Sequence, residues 1–358
     1  MQNKLIGLAI VSLLAPLAGA NEASWLELDK DIASLSTTAV VAGEGMAVSG
    51  FLKSYYMSDS DTNTGEWGFD SVRVNLKANF EDIAVKISWD MKDNQLALKD
   101  AHASWKTKDG MTVTFGKFKR PFLHSFAISK SKRLFIASTA NASNEERDNG
   151  VKLSGDISDT GTWQIAVTNG FIDPAPAPGD EDLYRGRDEM YYTARAAFTL
   201  MGDGGFNSLE GGRGNTEGTN ASFGISFAEE NGTDIEGHKL GIELAANKDA
   251  FYFHLDIVEY DDNFTSPLTG MDSTLGTALK DTNPMGITAS YMLADDMEIA
   301  LRREEFNDND DSVRLSVAFN YYSILPNKMM WQINCSDVSS DDPALEGELI
   351  QVGLTLTF

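Results

Sequence analysis

A cluster of basic residues lies in the stretch from Met111 to Arg133, which contains no acidic residue. The whole chain carries 54 acidic and 29 basic residues and a formal net charge of -25, so this stretch departs sharply from its background. Lysine and arginine donate charge-assisted hydrogen bonds to anions, and walls of low dielectric constant focus their field on a narrow passage. A solvated basic loop is the alternative. The cluster comprises Lys117, Lys119, Arg120, Lys130, Lys132 and Arg133.

Segments that alternate between apolar and polar side chains precede this basic cluster. In residues 71–80, which read SVRVNLKANF, apolar side chains form one face and polar side chains the other, among them Arg73 and Lys77. Lys86 lies on the polar face of the next alternating segment. Strict alternation over about ten residues is typical of a strand with one apolar and one polar face. The pattern therefore predicts that Arg73, Lys77 and Lys86 point to a common polar side.

The alternation continues to the end of the chain and predicts about sixteen strands. Five of them, beginning near Val48, precede the long connection that carries the basic cluster. The last strand alternates apolar and polar residues up to the terminal aromatic residue Phe358, as the last strand of an outer-membrane barrel does. The later strands are expected near residues 150–157, 162–169, 190–200, 221–228, 238–246, 250–260, 286–293, 297–305, 312–320, 328–337 and 349–358.

Short and long connections are expected to alternate between these strands. Short ones such as 81–82 and 158–161 interleave with long ones such as 118–149 and 261–284. A bacterial outer-membrane barrel shows this pattern, with short periplasmic turns and long external loops. Residues 201–220 break the pattern, because this Gly-rich connection is long where a short turn is expected.

The beginning of the chain predicts export from the cytoplasm. A positive residue, a short apolar run and a small-residue cleavage site predict that residues 1–20 are a signal peptide. Residues 21–45 are expected to form a short periplasmic segment before the main domain at residues 46–358. No later apolar run reaches the roughly 20 residues that a transmembrane helix needs. The single cysteine, Cys335, excludes an intramolecular disulfide.

Together these features predict an all-β fold, a transmembrane antiparallel β-barrel of about sixteen strands. Helices and closed barrels are the structures that satisfy every backbone polar group in lipid, and a barrel of this size encloses an aqueous channel. The third external loop, within residues 118–149, is expected to fold inward and bring the basic cluster, together with Arg147, to the constriction. Arg73, Lys77 and Lys86 are expected to line the lumen.

Four segments resemble a known family in order and spacing: LKDAHASWK (98–106), VTFGKFKRPF (113–122), RDNGVKLSG (147–155) and AVTNG (166–170). They are similar to the matching blocks of the phosphate-selective porin O/P family of Gram-negative outer membranes. The resemblance implies a sixteen-stranded barrel, usually a trimer, whose third external loop folds inward and carries basic residues. Four basic residues of this chain fall within the matching segments 113–122 and 147–155: Lys117, Lys119, Arg120 and Arg147.

The expected function is passive diffusion of small hydrophilic solutes, with anions such as phosphate the preferred class. The other external loops are strongly acidic, and they repel anions within a Debye length of roughly 8–10 Å. A general diffusion porin with weak or cation preference is therefore one alternative. A structural or adhesive barrel with a plugged lumen is another.

The expected partners are outer-membrane lipid, lipopolysaccharide, small anionic solutes and further copies of the same chain in a homotrimer. The negative net charge argues against nucleic acid. The four histidines are scattered without metal-ligand spacing, and no nucleophile or cofactor motif occurs. The sequence therefore predicts no enzyme activity, no cofactor and no metal site.

Overall fold

A computed structural model of the chain describes residues 46–59, 64–92, 95–139, 141, 147–170, 190–215, 217–231, 236–261, 282–307, 311–323, 328–343 and 346–358. The predicted signal peptide (1–20) and periplasmic segment (21–45) lie outside these residues. The described chain forms sixteen strands. They are β1 (Met46–Asp59), β2 (Thr64–Phe80), β3 (Ile83–Lys92), β4 (Gln95–Lys106), β5 (Thr112–Lys119), β6 (Arg147–Ser158), β7 (Gly161–Thr168), β8 (Tyr191–Met201), β9 (Thr219–Asn231), β10 (Glu236–Lys248), β11 (Phe251–Tyr260), β12 (Met285–Ala294), β13 (Met297–Glu305), β14 (Val313–Tyr322), β15 (Met329–Ser339) and β16 (Gly347–Thr357).

Each strand pairs antiparallel with its neighbours in sequence, and β1 pairs with β16, so the sheet is a closed barrel. The last residue of the chain takes part in this closure. The backbone N–H of Phe358 donates to the carbonyl of Gly50 at 3.1 Å, and the N–H of Gly50 donates to the carbonyl of Phe358 at 2.9 Å. Closure leaves no open sheet edge, which is the condition for a sheet to cross lipid.

The two faces of the barrel differ in chemistry, as β14 illustrates. Leu315, Val317 and Phe319 point outward and are exposed, whereas the alternate residues Ser316 and Asn320 point inward and are buried. Successive strand residues point to opposite faces, so apolar side chains face lipid and polar side chains face the interior. Among the described residues, no helix is long and apolar enough to cross a membrane.

The predicted all-β barrel is confirmed, and each predicted strand corresponds to an observed one. The short connections at one end of the barrel, such as 81–82 and 249–250, are tight turns. The connection between β8 and β9 is the long exception that the sequence predicted. We call this end, to which both kinds of connection belong, the short-turn end, and the opposite end the long-loop end.

Two connections contain short helical turns. Residues 120–141, named here the loop segment, follow β5 at the long-loop end and include helix α1 (His124–Ala127) and a 3-10 helix at Lys130–Lys132. Residues 202–218, named the turn segment, follow β8 at the short-turn end and include a 3-10 helix at Gly212–Gly214.

Candidate pore and its lining

Side chains from strands around the barrel hold the backbone of the loop segment. Lys53 of β1 donates to the carbonyl of Ile136 at 3.0 Å, and Ser226 of β9 donates to the carbonyl of Phe122 at 2.5 Å. Gln332 of β15 donates to the carbonyl of Leu134 at 3.0 Å. In the closed order of sixteen strands, β1 and β9 lie on opposite sides of the barrel.

The loop segment also covers acidic groups on the inner face of β10 and β11. The backbone N–H of His124 donates to Glu243 at 2.7 Å, and the side chain of Asn141 donates to Asp256 at 2.5 Å. Arg195 of β8 donates to Glu243 at 2.6 Å. Both carboxylates are fully buried. Both groups are therefore shielded from solvent. Glu243 is ion-paired with Arg195, whereas the donor to Asp256 from the loop segment is a neutral amide.

The turn segment meets the loop segment. Glu210 donates its backbone N–H to the carbonyl of Lys132 at 3.0 Å and accepts from the backbone N–H of Leu134 at 2.9 Å. The other oxygen of the same carboxylate accepts from Arg302 of β13 at 3.0 Å. Two connections that leave opposite ends of the barrel are thus in direct contact.

The basic cluster of the sequence is dispersed, and two of its members support the loop segment. The ammonium group of Lys119 donates to the carbonyls of Phe126, Ala127 and Ile128 at 2.5, 3.1 and 3.1 Å. It thereby satisfies carbonyl groups at the end of α1. Arg120 is buried and stacks over the ring of Tyr191 with 4.3 Å between guanidinium carbon and ring centre.

Three further members of the cluster occupy different environments. Lys130 forms an ion pair with Asp70 at 2.8 Å, and its side chain is partly exposed. Arg133 is buried; this burial lowers the pKa of its guanidinium group to about 10, which leaves the group charged at neutral pH. Lys132 is exposed. Of these three, Lys132 is the most open to a passing solute.

Lys117 lies apart from the rest of the cluster. It pairs with Ala101 of β4 and with Asn149 of β6, and it shares its face of β5 with Phe115, which is 55% exposed. Side chains of directly paired residues point to the same side of a sheet. The structure therefore places Lys117 on the outer face, and the expectation that it reaches the constriction is corrected by the register of β5.

A row of basic side chains lies on the inner face of β2 to β4. Lys77 of β2 pairs with Lys86 of β3, which pairs with His102 of β4. Lys77 is exposed and the side chain of Lys86 is 32% exposed. Lys152 of β6 lies near this row and stacks over the ring of Phe118 at 5.3 Å. We call Lys77, Lys86, His102, Lys152 and Arg147 the basic wall.

One carboxylate links two members of the basic wall. Asp100 of β4 accepts from Lys86 and from Arg147, each at 2.8 Å. Arg73, which was predicted to line the lumen, also lies on the inner face of its strand, but it forms a buried ion pair with Asp90 at 2.5 Å. Its charge is therefore compensated, whereas Lys77 and Lys86 retain exposed surface.

Sequence reasoning missed several residues of this arrangement. Three of them are single polar residues on the polar faces of alternating strands: Lys53, His102 and Lys152. This position was a usable signal for all three, although alternation alone does not assign them to the lumen. No sequence signal pointed to Glu210, because its partners Leu134 and Arg302 are distant in sequence and come together only in the folded barrel.

A cavity of about 630 Å³ lies toward the short-turn end. His124 of the loop segment, Phe206 of the turn segment and Arg195 of β8 line it. Acidic residues line it as well, among them Asp156 and Asp203. The lining is mostly polar, as suits a space for water and small solutes.

Solved structures with similar folds are bacterial outer-membrane proteins. The outer membrane channel DcaP of Acinetobacter baumannii superimposes with a TM-score of 0.58 at 12% identity, over 88% of this chain and 98% of that one. OmpF of Salmonella typhi does so with a TM-score of 0.60 at 10% identity, over 87% and 97%. A mutant porin of Rh. blastica has a TM-score of 0.56 at 12% identity, over 87% and 100%. At these identities the likeness concerns the fold.

No curated protein matches the chain. The closed barrel, its apolar outer face and its polar inner lining define a porin-type barrel fold. The family model described as phosphate-selective porin O and P matches residues 64–250, which is more than half of the chain. The chain belongs to this family.

Proposed function

We propose that the protein is an anion-preferring porin of the Gram-negative outer membrane, in which the loop segment folds inward and small solutes pass between it and the basic wall. Family and fold support a channel rather than an enzyme. The observation that carries the anion preference is exposed Lys77 on the inner face of β2. It lies directly beside Lys86, whose side chain keeps 32% of its surface exposed although it is paired with Asp100. Exposed Lys132 of the loop segment adds a third cation.

The contacts of the loop segment support its inward course. It is bonded to inner-face side chains of β1 and β9, on opposite sides of the barrel, and it covers the acidic groups Glu243 and Asp256. These acidic groups are thereby withdrawn from the passage, whereas Lys77 of the basic wall stays exposed. Rings of lysine and arginine favour anions because they replace part of the lost hydration.

A general diffusion porin with cation preference is the second candidate. The acidic residues Asp156 and Asp203 in the cavity at the short-turn end favour it, because an anion must pass them. Their field is screened beyond about 8 Å at physiological ionic strength, so we expect the narrower part of the passage to decide. Outer-membrane lipid, lipopolysaccharide and a homotrimer remain predictions from the family.

The zero-current potential of the purified protein in a planar bilayer under a KCl gradient tests this function. The parent is expected to prefer chloride, and replacing Lys77 and Lys86 together by glutamine should shift the potential toward potassium. Lys117→Gln is the matched control, because it removes a lysine from the outer face and should leave the potential unchanged. A parent that prefers potassium would favour the general porin, and no conductance would contradict the channel itself.

A further inference from the structure

The turn segment is the feature that the proposed function leaves unexplained. Three other connections at the same end are tight turns, at 81–82, 249–250 and 295–296. The turn segment is instead a long connection with its own 3-10 helix. Two-residue turns suffice to join antiparallel strands. A longer connection that is ordered by specific contacts therefore indicates a task beyond joining β8 to β9.

Glu210 is the centre of the contact between the two segments. Its side chain and backbone together bind Lys132, Leu134 and Arg302, as described above. The residue is only 8% exposed. A buried carboxylate is tolerated where charged and polar partners compensate it, and here those partners belong to the loop segment and to the barrel wall. Glu210 thus ties the loop segment to β13.

Further contacts join the two segments on either side of Glu210. The Nε2 atom of His124 lies 2.9 Å from the carbonyl oxygen of Asn207. The centres of the His124 and Phe206 rings are 4.8 Å apart. Gly211 packs so closely on Leu134 that an added Cβ would lie 2.6 Å from a methyl carbon of that leucine. The contact therefore extends along both segments.

The turn segment is itself anchored to the barrel wall at β12, β13 and β14. The backbone N–H of Gly212 donates to Glu298 at 2.6 Å and to Ser290 at 3.2 Å. The hydroxyl of Tyr322 donates to the other oxygen of Glu298 at 2.5 Å, and Arg213 stacks over the Tyr322 ring at 4.0 Å. The segment is thus a fixed support on the barrel wall.

We propose that the turn segment supports the loop segment from the short-turn end and sets the bore of the channel, with Glu210 as the positioning residue. Glu210 hydrogen-bonds the backbone of Lys132 and of Leu134, on either side of Arg133, so it fixes the position of the exposed Lys132. Truncation of the Glu210 side chain removes the bond from the Leu134 N–H and the ion pair with Arg302, and we expect the stretch from Lys132 to Leu134 to gain freedom to move. The backbone bond from Glu210 to the carbonyl of Lys132 does not need the side chain. This proposal requires that the chain forms a channel, but it does not depend on the preference of that channel for anions.

Single-channel recording with polyethylene glycols of graded size measures the bore of the Glu210→Ala variant. We expect a larger size cut-off, higher conductance and more open-channel noise than in the parent, because the loop segment is held less firmly. Glu210→Gln keeps the shape of the side chain but removes its charge and the ion pair with Arg302, so we expect smaller changes in the same direction. It also provides the test if the alanine variant does not assemble.

Asn215→Ala is the matched control. Asn215 lies in the same segment and donates to the carbonyls of Asp249 and Phe251, at 2.8 and 2.9 Å, where a tight turn joins β10 to β11. Its replacement should leave the size cut-off and the noise unchanged. The proposal is overturned if the assembled Glu210 variants keep the parent cut-off, conductance and noise, even when their thermal stability falls. A changed ion preference alone would bear on the proposed function and not on the support.

Discussion

The ammonium group of Lys119 shows how a basic residue is used for structure rather than for solute binding. Its donors are directed to three consecutive carbonyls at the end of α1. A group with three donors that are all engaged has little capacity left for an anion. Arg120 over Tyr191 and Arg73 beside Asp90 are likewise engaged. Among the described residues of the basic cluster and the basic wall, Lys77 and Lys132 are therefore the cations that we propose are open to solutes. Lys86 and Lys130 are partly exposed, but each forms an ion pair with an aspartate.

His124 is the residue whose protonation we expect to matter for the contact between the segments. Burial lowers the pKa of its imidazole to about 4, with Arg195 and His254 acting in the same direction and Glu243 opposing them. The pKa of an unperturbed histidine is about 6.5. Because the folded value is the lower one, the stabilising contribution is complete above about pH 6.5 and is lost as the pH falls through about 4.

We therefore expect the open-channel noise of the parent to rise when the pH is lowered from 7 to 4, as protonated His124 is expelled from its site beside Asn207 and Phe206. In the His124→Gln variant, which has no titrating ring, this rise should be much smaller. Single-channel recording at both pH values is the measurement. An equal rise in parent and variant would show that another group, such as buried Asp256, is responsible.

At the scale of elements, β5 depends on a close approach of backbones at Gly116. This residue has a positive φ of 112°, and an added Cβ would lie 2.2 Å from the carbonyl oxygen of Ala101 on β4. A residue with a side chain is strained at such a φ and would push the two strands apart. The position of β5 matters for the channel, because β5 leads directly into the loop segment.

We expect Gly116→Ala to lower the yield of folded barrel, as seen by heat-modifiable mobility in gel electrophoresis after refolding. Gly155→Ala on β6 is the matched control, since its added Cβ would meet only the side chain of Trp163, at 3.1 Å from the nearest atom. Its yield should be close to that of the parent. Equal losses in both variants would contradict a special role for the backbone at Gly116.

At the scale of the whole molecule, the interior has two unlike halves. The loop and turn segments cover acidic groups such as Glu243, Asp256 and Glu298, and they leave Lys77 exposed and Lys86 partly exposed. A chain with a net charge of -25 can therefore present a locally positive passage. The electrostatic potential in the passage depends on which charged groups remain uncovered, because low-dielectric walls strengthen the field of nearby uncompensated groups.

Cysteine labelling tests the assignment of inner and outer faces for the entire barrel. Cys335 of β15 is exposed and pairs with Val317 and Ile350 on the apolar outer face. In lipid vesicles it should resist a charged, membrane-impermeant maleimide, because hydrocarbon surrounds it. Lys77→Cys in a Cys335→Ser background should react readily through the aqueous interior. Rapid reaction of Cys335 together with no reaction at position 77 would mean that the faces are assigned the wrong way round.

The alternating pattern was enough to predict the all-β barrel and the approximate position of each strand, although observed strands such as β2 and β9 begin or end several residues beyond the predicted bounds. Alternation with period two indicates that a segment is a strand and also which of its residues share a face. Both follow from local backbone geometry, because successive residues of a strand point to opposite faces. The family followed from the blocks at 98–106, 113–122, 147–155 and 166–170, and the match over residues 64–250 agrees with it. The unusual length of the connection after β8 was also visible in the sequence.

The bonding partners of the basic residues could be learned only from the folded barrel. Lys119 bonds to a carbonyl a few residues along the chain, whereas Arg120 stacks on the distant Tyr191, and the sequence does not show either contact. Lys117 faces outward because of the register of β5. Glu210 gains its importance from Leu134 and Arg302, which are remote along the chain. Charge compensation depends on distances of a few ångströms between distant segments, and closure of the barrel is what sets those distances.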